Sequence, residues 1–253
     1  MDSPKYPRGS EWRKWDLHLH APGTKLNNQF KTADGSDVWD AYCRKLHESD
    51  VQAFGIADYF SADGYFSACE KYTERYPGSP KVLFPNIELR TNDVVNNEQE
   101  EVNVHLLFNP FRPDHAEKIK SFLNTLKTNK TDSTGRNVRA SELKHERDYA
   151  AATTTRVYIQ EALAETFGRD ADLLDFLLIV TAANNDGIRP ERGKQRKLLI
   201  TDELDKFSDA FFGNAGNVHY FLKTNRAEDK EEFTKPKPVL SGCDANSLSD
   251  LNE

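Results

Sequence analysis

The sequence is poor in cysteine and has no long hydrophobic run. Its three cysteines, Cys43, Cys69 and Cys243, are too few and too scattered for a disulfide framework or a thiolate zinc site. This sparse use of cysteine suits a reducing compartment. No apolar run approaches the roughly 20 residues that cross a bilayer, and the first residues lack the apolar core of a signal peptide. From these absences we expect a cytoplasmic protein with no membrane partner.

Basic residues are fewer than acidic ones. The chain has 34 lysines and arginines against 41 aspartates and glutamates, which gives a formal net charge of -7. This charge argues against nonspecific binding of nucleic acid by the whole surface, although a local basic patch is compatible with it.

The length and the hydrophobic pattern predict a single α/β domain. The chain has 253 residues, and a closed α/β barrel needs about 250. Apolar runs typical of strands alternate with helical spacing, roughly seven times. We therefore predict that residues 1–253 form one distorted (β/α)7 TIM-like barrel with parallel strands. A long polar segment, residues 128–148, is expected to be an insertion or a lid loop.

The most informative stretch covers residues 15–20 and has the sequence WDLHLH. Its alternation predicts a strand, and a period of two puts His18 and His20 on the same face. Two imidazoles placed in this way can bind one metal ion. The alternative is a hydrogen-bonded pair of histidines with no ligand.

Other ionisable residues lie in or at the ends of the later predicted strands. They are Asp58, Glu88, His105 and Asp244. The face of an α/β barrel at the C-terminal ends of its strands carries the active site. Burying such groups is unfavourable unless they bind something. We therefore predict a metal site here, while His105 could instead be a hydrogen-bonded core histidine and Asp58 could orient a histidine rather than bind metal.

The order of these motifs resembles that of the PHP (polymerase and histidinol phosphatase) superfamily. The corresponding residues are His18 and His20, Ala57-Asp58-Tyr59, Glu88, His105, Ala183-Asn184, and Cys243-Asp244-Ala245-Asn246. Within it, the chain is most similar to the TrlF-type group, through DLHLHAPG at residues 16–23, Asp58-Tyr59-Phe60 and Phe211-Phe212-Gly213-Asn214. In that group a PHP domain precedes an SMC-like or AAA-like ATPase. The resemblance thus implies an ATPase region as partner and a chain that is the N-terminal part of a longer protein.

The resemblance also implies which residues bind metal. A first divalent ion (Mn²⁺, Zn²⁺ or Fe²⁺) would take His18, His20, Glu88 and Asp244, and a second would share Glu88 and add His105. We therefore expect one or two ions per chain.

Three positions depart from the family pattern. Histidines expected as ligands are replaced by Tyr59, Asn184 and Asn246, which are poor ligands for transition metals. At the position of Asn246 the family histidine would bind metal or donate a proton to the leaving group. The change could be natural or deliberate.

One run of the chain is strongly basic. It contains Arg189, Arg192, Lys194, Arg196 and Lys197 and leads into a predicted helix. Cations at a helix N-terminus oppose the helix dipole, so helix stability does not explain them. We expect Arg189, Arg192, Arg196 and Lys197 to bind the phosphate backbone of a substrate; the alternative is an ordinary solvated face.

These observations predict a metal-dependent phosphoesterase. The resemblance favours a nuclease that hydrolyses phosphodiesters of nucleic acid and extends the expectation to phage or plasmid defence. Asp58 or Asp244 would accept the proton of the attacking water, and Asn246 would occupy a catalytic position. The alternative is a degenerate PHP domain that has lost catalysis and regulates its ATPase partner by binding, as Tyr59, Asn184 and Asn246 suggest.

Overall fold

The structure is a computed structural model that describes residues 12–94, 101–182, 198–222 and 235–252. The strands of the larger sheet are, in chain order, β1 (Lys14–His20), β2 (Val51–Tyr59), β3 (Val82–Val94), β4 (Glu101–Phe108), β7 (Leu177–Ala182), β8 (Ala210–Phe212) and β9 (Val239–Leu240). They lie side by side in that same order. The smaller sheet is a hairpin of β5 (Lys127–Thr131) and β6 (Asn137–Arg139).

The larger sheet closes on itself through the segment that follows β9. Residues 241–245 lie along β1, where the amide of Asp244 donates to the carbonyl of His18 over 2.7 Å and the amide of His20 donates to the carbonyl of Ala245 over 2.9 Å. The predicted seven-stranded barrel is confirmed, although regular pairing in its last strand ends at Leu240.

The prediction that all strands run parallel is wrong for β4. It is antiparallel to both of its neighbours, β3 and β7. The cause is the short connection between β3 and β4, which spans only residues 95–100, because a parallel crossover needs a dozen or more residues. The direction of β4 matters for the site, since it places His105, in the middle of that strand, opposite Glu88 in the middle of β3.

Helices cover the sheet. They are α1 (Val38–Glu48), α2 (Asp63–Arg75), α3 (His115–Thr125), α4 (Glu146–Ala151), α5 (Arg156–Phe167), α6 (Leu198–Phe207) and α7 (Ala215–Phe221). Helix α1 begins where Asp37 caps the amide of Trp39, and its Tyr42 and Leu46, four residues apart, are buried on one face. No helix within the described ranges is long and apolar enough to cross a membrane.

The two larger apolar clusters hold α1, α2, α3 and α5 against the sheet. One joins α1 and α2 to β2 through side chains such as Tyr42, Ile56 and Tyr65. The other joins α3 and α5 to β3 and β4, with Phe122 and Leu106 buried at its centre. Strand β2 is buried along nearly its whole length, as expected for a strand that is covered on both faces.

The long polar segment forms regular structure. Residues 128–148 contain most of the β5–β6 hairpin, a 3-10 turn at Ala140–Glu142 and the start of α4. The hairpin is fixed at its base, where the Thr154 hydroxyl donates to the Lys127 carbonyl over 2.8 Å and Arg139 donates to the Thr125 carbonyl over 2.6 Å. A role as a lid remains a prediction.

Candidate metal centre

Four of the predicted ligands meet at the end of β1. Nε2 of His18 lies 3.4 Å from Oε2 of Glu88 and 3.2 Å from Oδ1 of Asp244. Nε2 of His20 lies 3.5 Å and 3.4 Å from the same two oxygens. Ligands bonded to one ion at about 2.0–2.2 Å are themselves separated by roughly 3.0–3.5 Å. The observed spacings are therefore those of groups that can share a divalent cation.

His105 reaches the same place from the middle of β4. It lies opposite Glu88 in the antiparallel pair of β3 and β4, and residues directly opposite each other point to the same face. Nitrogen or oxygen atoms of His18, Glu88 and His105 all lie within 4.8 Å of one another. His18 also belongs to a second such group, with His20 and Asp244.

The atoms that point into the centre have no hydrogen-bond partner. Nε2 of His18, His20 and His105 and Oε2 of Glu88 are all buried and unsatisfied. Buried polar atoms are nearly always paired, and an unpaired cluster requires an explanation. Three imidazole nitrogens and a carboxylate, with Asp244 at their edge, form the donor set of a zinc, manganese or iron site. The residues present therefore fit a divalent ion.

The proton on His20 is fixed by a chain of two hydrogen bonds. The Thr24 hydroxyl donates its only hydrogen to Oδ1 of Asp58 over 3.0 Å. It must therefore accept from Nδ1 of His20, which lies 3.1 Å away. With the proton on Nδ1, the lone pair of Nε2 faces the centre. Asp58 thus acts on the centre indirectly, and its Oδ1 also accepts from the amides of Lys25 and Tyr59.

His105 and Glu88 are held in the same manner. Asn86 donates from Nδ2 to the Leu17 carbonyl over 2.9 Å, which fixes the orientation of its amide. Its Oδ1 then accepts from Nδ1 of His105 over 3.1 Å, so Nε2 of His105 is free of hydrogen. Asn103 donates to Oε1 of Glu88 over 2.8 Å and leaves Oε2 for the centre.

Asp244 sits on an unusual backbone at the open side. Its side chain is 60% exposed, and its φ of 49° lies in the left-handed region that most residues avoid. The preceding segment passes very close to β1 at Gly242, where an added Cβ would lie 2.3 Å from the Cβ of His18. Oδ1 of Asp16 accepts from the amides of His18 and Cys243 and so ties the two segments together.

Burial and charge shift the pKa values at the centre. Burial alone would raise the pKa of Glu88, but the neighbouring His18, together with His105 and His20, lowers it to about 2. Burial lowers the pKa of His105 to about 3, so its imidazole is neutral. Burial would also lower the pKa of His18, but Glu88 and Asp244 raise it above its usual value. A negative field that favours a proton on His18 would equally favour a metal cation.

Aromatic rings surround the imidazoles. The Tyr59 ring stacks on His20 with 5.0 Å between ring centres, and Phe212 lies 5.3 Å from His18 and 4.8 Å from His105. Burial raises the pKa of Tyr59 well above its usual value, so its hydroxyl keeps its proton. Tyr59 thus contributes an aromatic ring to the wall of the centre and keeps its hydroxyl protonated.

The other predicted site residues are Asn246, Asn184 and the residues of the basic run. Asn246 donates from Nδ2 to the Asp244 carbonyl, and its Oδ1 is buried without a partner. Asn184 and the predicted phosphate-binding residues Arg189, Arg192, Arg196 and Lys197 lie outside the described residues. Sequence reasoning missed the residues that orient the ligands. They are Thr24, Asn86 and Asn103.

No protein-family model matches the chain, and no curated protein matches it. Among solved structures, a provisionally assigned metal-dependent phosphoesterase from Bifidobacterium adolescentis has 15% identity and a TM-score of 0.41, over 93% of this chain and 88% of its own. An amidohydrolase from Chromobacterium violaceum, solved with sulfate and without metal, has 13% identity and a TM-score of 0.40, over 92% of this chain and 88% of its own. Similarity at this level assigns neither a family nor an activity to the chain.

Proposed function

We propose that this chain is a metal-dependent phosphoesterase. The observation that carries the proposal is the convergence of four buried, unpaired ligand atoms, on His18, His20, Glu88 and His105, beside the exposed carboxylate of Asp244. An arrangement that leaves so many buried polar atoms unpaired is unfavourable for stability alone, and it suits a binding site.

The first ion would be held by His18, His20, Glu88 and Asp244. The distances of 3.2–3.5 Å that join their ligand atoms support this set. A second ion would use Glu88 and His105, so one or two ions per chain are proposed. When bound, a divalent ion supplies Lewis acidity, which polarises a phosphoryl oxygen and makes water acidic near neutral pH.

The protein side chains supply orientation and proton transfer. Thr24 and Asn86 hold their histidines in the tautomer that presents Nε2 to the centre. The Asp244 carboxylate, exposed at the mouth, can accept the proton of the attacking water. Asp58 serves as a positioning residue through Thr24, whose hydroxyl donates to its Oδ1 and accepts from His20.

The finer points of the proposal rest on the sequence resemblance to PHP domains. They are a phosphodiester of nucleic acid as substrate, an ATPase region as partner, and a role in phage or plasmid defence. We retain them as predictions.

Metal analysis combined with turnover tests the proposal. Purified protein is analysed for bound metal and then assayed with Mn²⁺ on bis-(p-nitrophenyl) phosphate and on labelled oligonucleotides. We expect bound metal and turnover that is lost in a His18→Ala/His20→Ala double variant. A protein that binds no metal under any of these conditions would rule the proposal out.

A second candidate is a binding module that has lost catalysis. Two contacts favour it. The Tyr59 ring stacks on His20 without offering a metal ligand, and the side-chain amide of Asn246 donates a hydrogen bond to the Asp244 carbonyl. Metal binding without turnover on any phosphoester, combined with retained binding of nucleic acid or an ATPase, would favour this candidate.

A further inference from the structure

Arg90 lies beside the metal centre, on the side toward the mouth of the barrel. It follows Glu88 by two residues on β3, so both side chains belong to the same face of the strand. Two residues of a strand advance by about 6.6 Å, and this advance carries Arg90 beyond the end of β2. It is a cation two residues beyond the carboxylate of Glu88, on the same face of β3.

Two contacts hold the guanidinium in place. Nη2 of Arg90 donates to the Tyr149 carbonyl over 2.8 Å, and the guanidinium carbon lies 5.8 Å from the centre of the Tyr59 ring. The same Tyr59 ring stacks on His20. The backbone is fixed as well, because the Thr154 amide donates to the Arg90 carbonyl over 2.9 Å. Arg90 is therefore positioned relative to the metal ligands.

These contacts leave part of the hydrogen-bonding capacity of the guanidinium unsatisfied. Its Nε is buried and has no hydrogen-bond partner. Within the described part of the chain no carboxylate forms an ion pair with Arg90, whereas Arg75, Arg112, Arg136 and Arg156 each have one. A carbonyl and a ring do not neutralise a charge, and a buried, unpaired N–H of a cation is costly. A bound anion would both neutralise the charge of Arg90 and accept a hydrogen bond from its Nε.

We propose that Arg90 binds a phosphoryl oxygen of the substrate. This inference rests on the proposed phosphoesterase function and names the residue that recognises the phosphate in it. The rigid fork of a guanidinium matches a phosphate group, and Arg90 adds a positive charge beside a centre in which Glu88 and Asp244 would balance the charge of a bound dication. Arg90 thereby positions the phosphoryl group over the centre.

A purely structural role would give a different result. An arginine that only braced α4 through the Tyr149 carbonyl would affect folding and leave anion binding unchanged. The experiment therefore measures anion binding, metal binding and stability separately.

The test compares wild type, Arg90→Gln, Arg90→Lys and Arg112→Gln in the presence of Mn²⁺. Arg112 is a matched control, because it also lies over an aromatic ring, Phe176 at 4.1 Å, but follows β4 at the opposite end of the barrel. Calorimetry gives the Kd of inorganic phosphate and of Mn²⁺, and turnover of bis-(p-nitrophenyl) phosphate gives KM and kcat.

In Arg90→Gln we expect the Kd of inorganic phosphate and the KM to rise by about 10- to 100-fold, while the Kd of Mn²⁺ changes by less than about twofold. Arg90→Lys should bind phosphate more tightly than Arg90→Gln but less tightly than wild type, since lysine keeps the charge and lacks the two-pronged guanidinium. Arg112→Gln should behave as wild type.

Two results would overturn the inference. One is a phosphate Kd in Arg90→Gln that matches wild type; the other is an equal loss of phosphate and Mn²⁺ binding, which would indicate general damage to the site. A different result would show that the proposed phosphoesterase function is wrong while the anion site is correct. Phosphate binding that depends on Arg90 without turnover of any phosphoester would support the anion site and reject the esterase.

Discussion

The hydroxyl of Thr24 lies 3.1 Å from Nδ1 of His20 and can only accept its hydrogen, because its own hydrogen goes to Asp58. The Nε2 lone pair of His20 therefore faces the metal centre before any ion arrives. Metal ligands oriented in this way bind more tightly than free ones, and loss of such a partner typically weakens metal affinity by about 10- to 100-fold.

Replacing Thr24 with valine should weaken the binding of Mn²⁺ or Zn²⁺ by about tenfold or more, with little change in shape. Thr24→Ser keeps the hydroxyl and should bind metal as wild type does. Calorimetric titration of each variant measures the effect. A Thr24→Val protein with unchanged metal affinity would mean that the tautomer of His20 is set by some other contact.

Metal should stabilise the folded protein by mass action. At an ion concentration 100 times its Kd the gain is about 2.7 kcal/mol, which for a domain of this size raises the Tm by roughly 5–10 °C. Binding also relieves the repulsion between the carboxylates of Glu88 and Asp244. Thermal unfolding with and without Mn²⁺ measures the shift.

The His18→Ala/His20→Ala double variant should lose this shift in Tm. His219→Ala is the matched control, since His219 is exposed on α7, away from the predicted ligand set. The control should keep the full shift. If the double variant kept it as well, the metal would be binding elsewhere.

The sequence resemblance to PHP domains would place a histidine at position 246, where this chain has asparagine. An amide is a poor ligand for a transition metal and cannot donate a proton as an acid does. We therefore expect slow turnover, and Asn246→His should raise phosphodiesterase activity by about tenfold or more. Turnover of bis-(p-nitrophenyl) phosphate with Mn²⁺ is compared for both proteins. Equal activity, with the Tm retained, would show that position 246 takes no part in the reaction.

Gly242 allows the last segment to approach β1. A methyl group there would lie 2.3 Å from the Cβ of His18, so Gly242→Ala must displace one of the two segments. We expect a loss of about 1–3 kcal/mol in the free energy of unfolding and weaker metal binding, because Asp244 would move.

Gly64→Ala is the control for that variant. Its added Cβ would meet nothing closer than 3.6 Å, and it lies in α2, where alanine is favoured over glycine by roughly 0.5–1 kcal/mol. Denaturant unfolding should show that Gly242→Ala lowers the free energy of unfolding and that Gly64→Ala raises it. A Gly242→Ala protein as stable as wild type would mean that the chain accommodates the methyl group without strain.

The sequence was sufficient to predict the barrel and to pick out four residues whose polar atoms converge in the structure. Alternation alone placed His18 and His20 on one face, and the ends of apolar strands identified Glu88 and Asp244, all of which meet in the structure. Their convergence was predictable because a strand has a strict period of two and because burying an ionisable group is unfavourable unless it binds something; their role as metal ligands stays a prediction.

The direction of β4 and the orienting residues were not predicted. The short polar connection between β3 and β4 indicates an antiparallel pair. The alternation of strands and helices in the rest of the chain favoured parallel strands instead. Thr24 and Asn103 depend on contacts across the fold, and no local pattern marks them. Arg90 carried a usable signal, since it shares the face of Glu88 two residues away.

Asp244 places its carboxylate on a left-handed backbone, a conformation that glycine adopts freely and that other residues adopt at a cost. In the absence of metal, glycine at position 244 should therefore give a higher Tm than aspartate. With metal bound, the proposed role of the Asp244 carboxylate as a ligand favours aspartate instead. The residue that is most stable at this position thus depends on whether the ion is present.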